Sequence, residues 1–297
     1  MRSLTRLLSA MLVLLASAPS PVRAQIRASE LAVTRQTIDG TVITLEYSRP
    51  RVRGRPVMFG ERGRSIVHWE EVWTPGANYA TTLETNKPIT LAGRAIPAGK
   101  YSLWLIPHAQ GAWTMVFDPK WRAFHTEMPD SLPTQIRFPV TPVGGALEDA
   151  LTFAFVGLSV SGATLELRWG TTRIAMPITV TPSLRMTTPV TEAEQFAGRY
   201  EWRFVEGDTT RYLMTLGPSQ GYLMGTLRPV TWPGDFAMVR VHPTRDWYSF
   251  ALFEKGEIYE VETTWVAEFS RSADGRVTGF VVRNDTDKID VRATRLP

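Results

Sequence analysis

No cysteine occurs among the 297 residues. That excludes disulfide staples and thiolate metal ligands. It also excludes a lipid-anchored lipoprotein, which needs a cysteine at its cleavage point. Histidine is scarce: His68, His108, His125 and His242 are the four. None lies two or four positions from another, and there is no His-Glu-x-x-His, so no local zinc pattern exists. We expect no metal and no cofactor. Gly60-Glu61-Arg62-Gly63 has the wrong spacing for a dinucleotide-binding or phosphate-binding loop. Gly217-Pro218-Ser219-Gln220-Gly221 fits the pattern of a nucleophile elbow, but that elbow needs a helix after its serine. A strand-like run, Tyr222 to Leu227, follows instead, so the motif reads as a hairpin loop. The acidic segment from Asn284 to Asp290 lacks the glycine and glutamate of an EF-hand loop and reads as a solvated turn.

Excess positive charge is also smaller than the formal net of +4 suggests. Arg2, Arg6 and Arg23 fall within the first 24 residues. There, a basic start precedes an apolar run from Leu7 to Ala18, and Val22-Arg23-Ala24 places small residues before a cut at Gln25. Residues 1–24 are expected to be a cleavable secretory signal, which makes the protein exported, periplasmic or extracellular. The run is too short to cross a bilayer, which takes roughly 20 residues, and no later segment is apolar enough. No membrane insertion is therefore expected after cleavage. From residue 25 onward, 30 basic side chains face 29 acidic ones. That near-neutrality argues against nucleic-acid binding, which favours a basic footprint. The balance is uneven, with 17 basic and 13 acidic residues over 25–190 but 13 and 16 over 191–297.

Strand signals dominate what is present. Thr41 to Tyr47 alternates, with Ile43, Leu45 and Tyr47 on one face. Lys100 to Ile106 is apolar on both faces, as in the middle of a sandwich, and Ala112 to Phe117 is its expected hairpin partner. Thr164 to Trp169 alternates again. The Pro/Ser/Thr-rich stretch 182–190 reads as a linker. After it, Thr191-Glu192-Ala193-Glu194 fits a capping box, with Thr191 as N-cap. Eight short runs follow, beginning at Tyr200, Tyr212, Tyr222, Ala237, Trp247, Thr263, Val277 and Asp290. The expected fold is all-β: a jelly-roll-like β-sandwich over 25–181, then an antiparallel, barrel-like domain over 191–297.

Tyr47-Ser48-Arg49-Pro50, Gly54-Arg55, Phe59-Gly60, Val72-Trp73, Gly76-Ala77-Asn78, Ala80-Thr81, the run Pro97 to Leu103, and Trp113 occur in a recognisable order. Over residues 26–180 the chain thereby resembles a bacterial exported family known as domain of unknown function 2911. The resemblance implies a compact secreted or periplasmic β domain, and no reaction. Many members carry Arg-Thr where this chain has Thr74-Pro75, so a site using that arginine is altered here. From Phe196-Ala197-Gly198-Arg199-Tyr200 to Ala293-Thr294-Arg295-Leu296 the chain is similar to the small β domain behind serine β-lactamase-like domains. That likeness implies an accessory role.

Arg49, Arg51, Arg53 and Arg55 alternate, and in an extended segment such side chains share a face. Guanidinium groups suit carboxylate, sulfate or phosphate. With His68, Trp73 and Asn78 beyond them, Arg49 and Arg55 are the candidate ligand-binding set. The same arginines also fit a solvated face, or pairs with Glu46, Glu61 and Glu70. Gly76-Ala77-Asn78 fits a purely conformational role as well, since glycine and asparagine accept left-handed backbone angles. Three functions remain open: a non-catalytic module binding an anionic small molecule or glycan, an envelope structural or protein-interaction module, and a hydrolase in which His68 works with Glu70 or Glu71.

Overall fold

A computed structural model describes residues 27–55, 57–229 and 235–297. The expected signal segment lies outside them. Among the described residues the chain is almost wholly antiparallel β, with one short helix. Strands β1 (Glu30–Ile38) and β2 (Thr41–Arg49) meet in a hairpin across Asp39-Gly40, both at positive φ. An Asp-Gly pair in that conformation matches the twist of the flanking strands. Short strands β3 (Phe59–Gly60) and β4 (Val67–His68) pair with each other. Then come β5 (Thr82–Thr85), β6 (Ile89–Leu91), β7 (Arg94–Ile96), β8 (Gly99–Ile106), β9 (Trp113–Asp118) and β10 (Ile136–Val140). Two long strands, β11 (Pro142–Ser159) and β12 (Gly162–Val180), complete this half.

These strands form a six-stranded sheet, ordered β1-β2-β5-β8-β9-β10, and a four-stranded sheet, ordered β11-β12-β6-β7. Ile43, Leu45, Leu103, Leu105 and Phe117 from the first share one buried cluster with Leu151, Phe153, Leu165, Ile174 and Met176 from the second. Alternation puts Trp104 on the opposite face of β8. There it packs with Ala80, Val116 and Ala123 in a separate small cluster. That second cover explains why β8 reads as apolar on both faces. The expected pairing of β8 with β9 is present, from Ser102↔Asp118 to Ile106↔Thr114.

Helix α1 (Val190–Phe196) follows. It corrects the expected capping box: the N-cap is Pro189, and no side chain caps it. The carbonyl of Pro189 accepts the amides of Glu192 (3.0 Å) and Ala193 (2.9 Å), which starts the helix two residues early and places Thr191 inside the first turn. Eight strands then close a barrel: β13 (Gly198–Phe204), β14 (Tyr212–Ser219), β15 (Tyr222–Arg228), β16 (Asp235–Arg240), β17 (Trp247–Glu254), β18 (Glu257–Arg271), β19 (Val277–Arg283) and β20 (Ile289–Arg295). Each pairs with the next, and β20 returns to β13. The Gly217–Gly221 motif is the β14–β15 hairpin, turning on Gln220 (φ 52°) and Gly221 (φ 82°). Phe196 of α1 enters one end of the barrel, with ring centroids 5.0 Å from Tyr248 and 4.8 Å from Phe269. The sandwich and barrel clusters are separate and share no residue.

Candidate functional site

The loop after Trp73 is clamped before it presents any side chain. Thr74 Oγ1 donates to the Leu103 carbonyl at 2.9 Å and accepts the Thr81 amide at 2.9 Å. Thr81 Oγ1 closes the loop on the Pro75 carbonyl, also at 2.9 Å. Gly76 sits so close to that hydroxyl that a Cβ would stand 2.6 Å from it. Asn78 adopts φ 63°, a left-handed angle that asparagine tolerates. Its amide donates to Ser48 Oγ at 3.1 Å and to the Ser29 carbonyl at 3.3 Å. The Gly-Ala-Asn motif is therefore conformational in its glycine, while its asparagine also reaches across to β2.

Beside Asn78 lies a cavity of about 330 Å³. Its floor is the outer face of the six-stranded sheet. Leu45 points into the core, so Glu46 and Ser48 flank it on the outside, and the register pairs Glu46 with Thr82 of β5. Lys100 of β8 is the next polar group along. Its ammonium stands 4.6 Å from the centroid of Trp121 and 3.6 Å from Glu84 Oε2. Trp121 and Tyr79 form the rim, 43% and 59% exposed. Arg27, Lys100 and Arg122 supply three cations to the lining, against the single carboxylate of Glu46. Hydroxyl and ammonium groups and the amide of Asn78 thus line the floor beneath aromatic faces.

Of the five residues expected from the sequence, Asn78 lines this cavity. Arg55 lines a different one, of about 280 Å³, beside Trp69 and Trp113. Arg49, His68 and Trp73 line neither. Arg49 crosses between the sheets, donating to the Leu151 carbonyl at 2.9 Å and Thr152 Oγ1 at 2.6 Å. The arginine ladder is not extended. Arg53 and Gly54 take φ 53° and 70°, and the Arg55 amide closes a turn on the Val52 carbonyl at 3.1 Å. The side chains consequently diverge: Arg51 to Asp149, Arg53 to the Ala28 carbonyl, and Arg55 back onto the carbonyls of Val52 and Arg51.

Trp73 stacks on Trp169 with centroids 5.6 Å apart and planes 15° from parallel. Phe59 lies edge-on to both rings. His68 Nδ1 lies 3.1 Å from Glu71 Oε2, and Glu71 also accepts from Arg62. Those donors outweigh desolvation and hold the Glu71 carboxyl below its ordinary range, with His68 contributing most. This is a base-and-orienter pair in form. The nearby Ser65 hydroxyl, however, donates to the Glu61 and Val67 carbonyls and not to His68. Among the described residues, no group of three or more His, Asp or Glu side chains is placed to hold a metal ion, and no helix is long and apolar enough to cross a membrane.

Sequence reasoning missed Ser48, Thr82, Lys100, Trp121 and Arg122 as lining groups. Lys100 opens a run read as apolar on both faces, Thr82 falls in no strand read from the sequence, and only sheet order brings them together. Trp121 and Arg122 arrive from the loop after β9, which carries no periodic signal. A family model described as protein of unknown function (DUF2911) matches residues 29–178, a span that includes the whole cavity lining except Arg27. A comparison with curated proteins and one with solved structures each find no match.

Proposed function

Since the chain belongs to the DUF2911 family of proteins of unknown function, and its task must be read from its own geometry, we propose that it is an exported, non-catalytic binding protein whose family domain holds an anionic saccharide in the cavity beside Asn78. One observation carries the reading: three cationic side chains and the polar groups of Ser48, Asn78 and Thr82 line one cavity under exposed aromatic rings. Aromatic faces suit the apolar C–H face of a sugar. Ser48, Asn78 and Thr82 suit its hydroxyls, and Lys100 or Arg122 a carboxylate or sulfate. Export rests on the signal-like first 24 residues and on the bacterial exported family that the sequence resembles.

Calorimetry against glucuronate, galacturonate oligomers, a sulfated sugar and neutral glucose tests the ligand class. Saturable heat from the acidic sugars, abolished by Trp121→Ala and weakened about tenfold by Lys100→Met, is the expected result. Equal heat from glucose, or none from any acidic sugar, removes the proposal. N-terminal sequencing of the protein from an expressing cell's periplasm or medium tests export, and a mature start at Gln25 is expected.

A further inference from the structure

The barrel holds a second cavity, at the end opposite α1. An eight-stranded barrel is just wide enough to fill itself with side chains or to keep one small ligand. At the α1 end it is filled: Tyr200, Tyr248, Phe269 and Phe280 pack ring against ring around Phe196. At the other end a cavity of about 360 Å³ remains, a volume typical of small-molecule sites. Trp202, Phe204, Tyr212, Phe236, Phe250 and Trp265 form its wall. Trp202 and Phe204 are edge-on at 5.9 Å, and Phe204 and Trp265 are tilted by 56° with centroids 6.5 Å apart.

Two carboxylates, Asp208 and Glu262, stand in this aromatic lining, and among the described residues no lysine, arginine or histidine joins them. Both are held in the charged form by neutral donors. Asp208 accepts from Thr210, through its backbone amide at 2.8 Å, and from the Tyr212 hydroxyl. Glu262 Oε1 accepts the Thr264 amide at 2.9 Å and the Thr264 hydroxyl. The hydrogen bonds from Thr210 and from Thr264, respectively, do most to hold the two carboxyl groups below their ordinary range. The other oxygen of Glu262 has no hydrogen bond among the described residues. Trp202 is 4% exposed, and its Nε1 has no partner there either.

We propose that the barrel mouth binds a compact organic cation, an ammonium or quaternary ammonium group on an apolar body. Ring faces attract cations through their quadrupole, most strongly where water is excluded. The two carboxylates supply the counter-charge and repel an anionic ligand such as a fatty acid. The site is independent of the saccharide cavity, because its residues lie in a different sheet system and its charge is of the opposite sign.

The test is a tryptophan-fluorescence titration of the full chain with choline, benzyltrimethylammonium, the uncharged choline isostere neohexanol, and benzoate. Saturable change is expected from both cations, about tenfold weaker binding from neohexanol, and none from benzoate. Glu262→Gln weakens cation binding about tenfold with an unchanged circular dichroism spectrum, and Trp121→Phe in the saccharide cavity leaves it intact. Asp208→Asn provides the same reading if Glu262→Gln fails to fold. Benzoate binding as tightly as the cations, no cation binding, or cation binding indifferent to both carboxylate variants would each overturn the proposal. Loss of the cation signal in Trp121→Phe would also overturn it, by placing the cation in the other domain.

Discussion

Arg240 donates from Nε to Glu192 Oε1 at 2.8 Å, tying helix α1 to barrel strand β16. The Tyr248 hydroxyl donates to the same oxygen at 2.9 Å, and Arg185 reaches the other oxygen. Arg240 continues to Asp246 at 3.1 Å, and Asp246 accepts Arg271 Nε at 2.7 Å. Arg271 returns to α1 through Gln195 Oε1 at 3.1 Å, with its guanidinium over the Phe196 ring. A helix of seven residues is too short to hold itself in water, so this ring of ion pairs and the insertion of Phe196 keep it on the barrel end.

Removing one member of a partly buried network leaves its partners uncompensated, which costs more than the pair contributes. Glu192→Ala is expected to destabilise the protein by about 3 kcal/mol in urea denaturation. Adding Arg240→Ala to Glu192→Ala should cost less than the sum of the two single changes, because the stranded charge is removed with its partner. Additive losses would mean that the two side chains stabilise the barrel independently.

The same cluster contributes to both limbs of the pH–stability curve. Burial of Glu192 opposes its ionisation, but hydrogen bonds from Arg240, Tyr248 and Arg185 outweigh it and hold the carboxyl below its ordinary range. A depressed carboxyl pKa contributes stability that is present above the unfolded value, about 4.3, and lost as pH falls through the folded value. Tyr248 is shifted upward, first by burial and then by its hydrogen bond to Glu192. Its contribution is present below the unfolded value, about 10, and lost as pH rises through the folded one. Thermal melts should therefore be flat near neutrality and fall on both sides. Glu192→Gln should flatten the acid limb and Tyr248→Phe the alkaline limb. Unchanged limbs in both variants would assign the pH dependence to other groups.

Asn78 combines a backbone role with a ligand-facing one, and two substitutions separate them. Glycine accepts φ 63° without strain, whereas alanine does not. Asn78→Ala should lose about 2 kcal/mol, from the left-handed strain and the lost hydrogen bonds to Ser48 and Ser29. Asn78→Gly should lose about 1 kcal/mol, from the hydrogen bonds alone. Both should bind glucuronate equally weakly if the amide touches the sugar. If Asn78→Gly binds as the parent does, the side chain serves only the loop.

Much of the fold was legible because strand burial writes itself as alternation. Ile43-Leu45-Tyr47 in β2 and the barrel strands β13, β14 and β15 follow period two, and Gly217 to Gly221 marks a turn by residue type alone. The sites were harder to read. Arg49 to Arg55 looked extended because Pro50 and Pro56 favour an extended backbone, while the determining residues were Arg53 and Gly54, whose left-handed angles turn the chain. Trp73 looked like a site residue because a tryptophan before a Gly-Asn loop reads the same whether its ring faces solvent or another indole. Trp169, nearly a hundred positions away, decides that. The cavity residues Ser48, Thr82 and Lys100 meet only through the order β2-β5-β8, and the barrel carboxylates meet their aromatic wall only when β20 closes on β13.

Arg49 provides the last discriminating case, because it stood in the candidate set and sits next to Ser48 of the cavity. Its guanidinium bonds the Leu151 carbonyl and the Thr152 hydroxyl, both on β11 of the opposite sheet. A planar fork meets two acceptors at once, and a lysine ammonium in the same place does not reproduce that geometry. Arg49→Lys should accordingly destabilise the protein by about 1.5 kcal/mol in urea while leaving glucuronate affinity within about twofold of the parent. A loss of affinity without a loss of stability would reverse the assignment, since a residue that merely joins the sheets has no route to the ligand except through the fold.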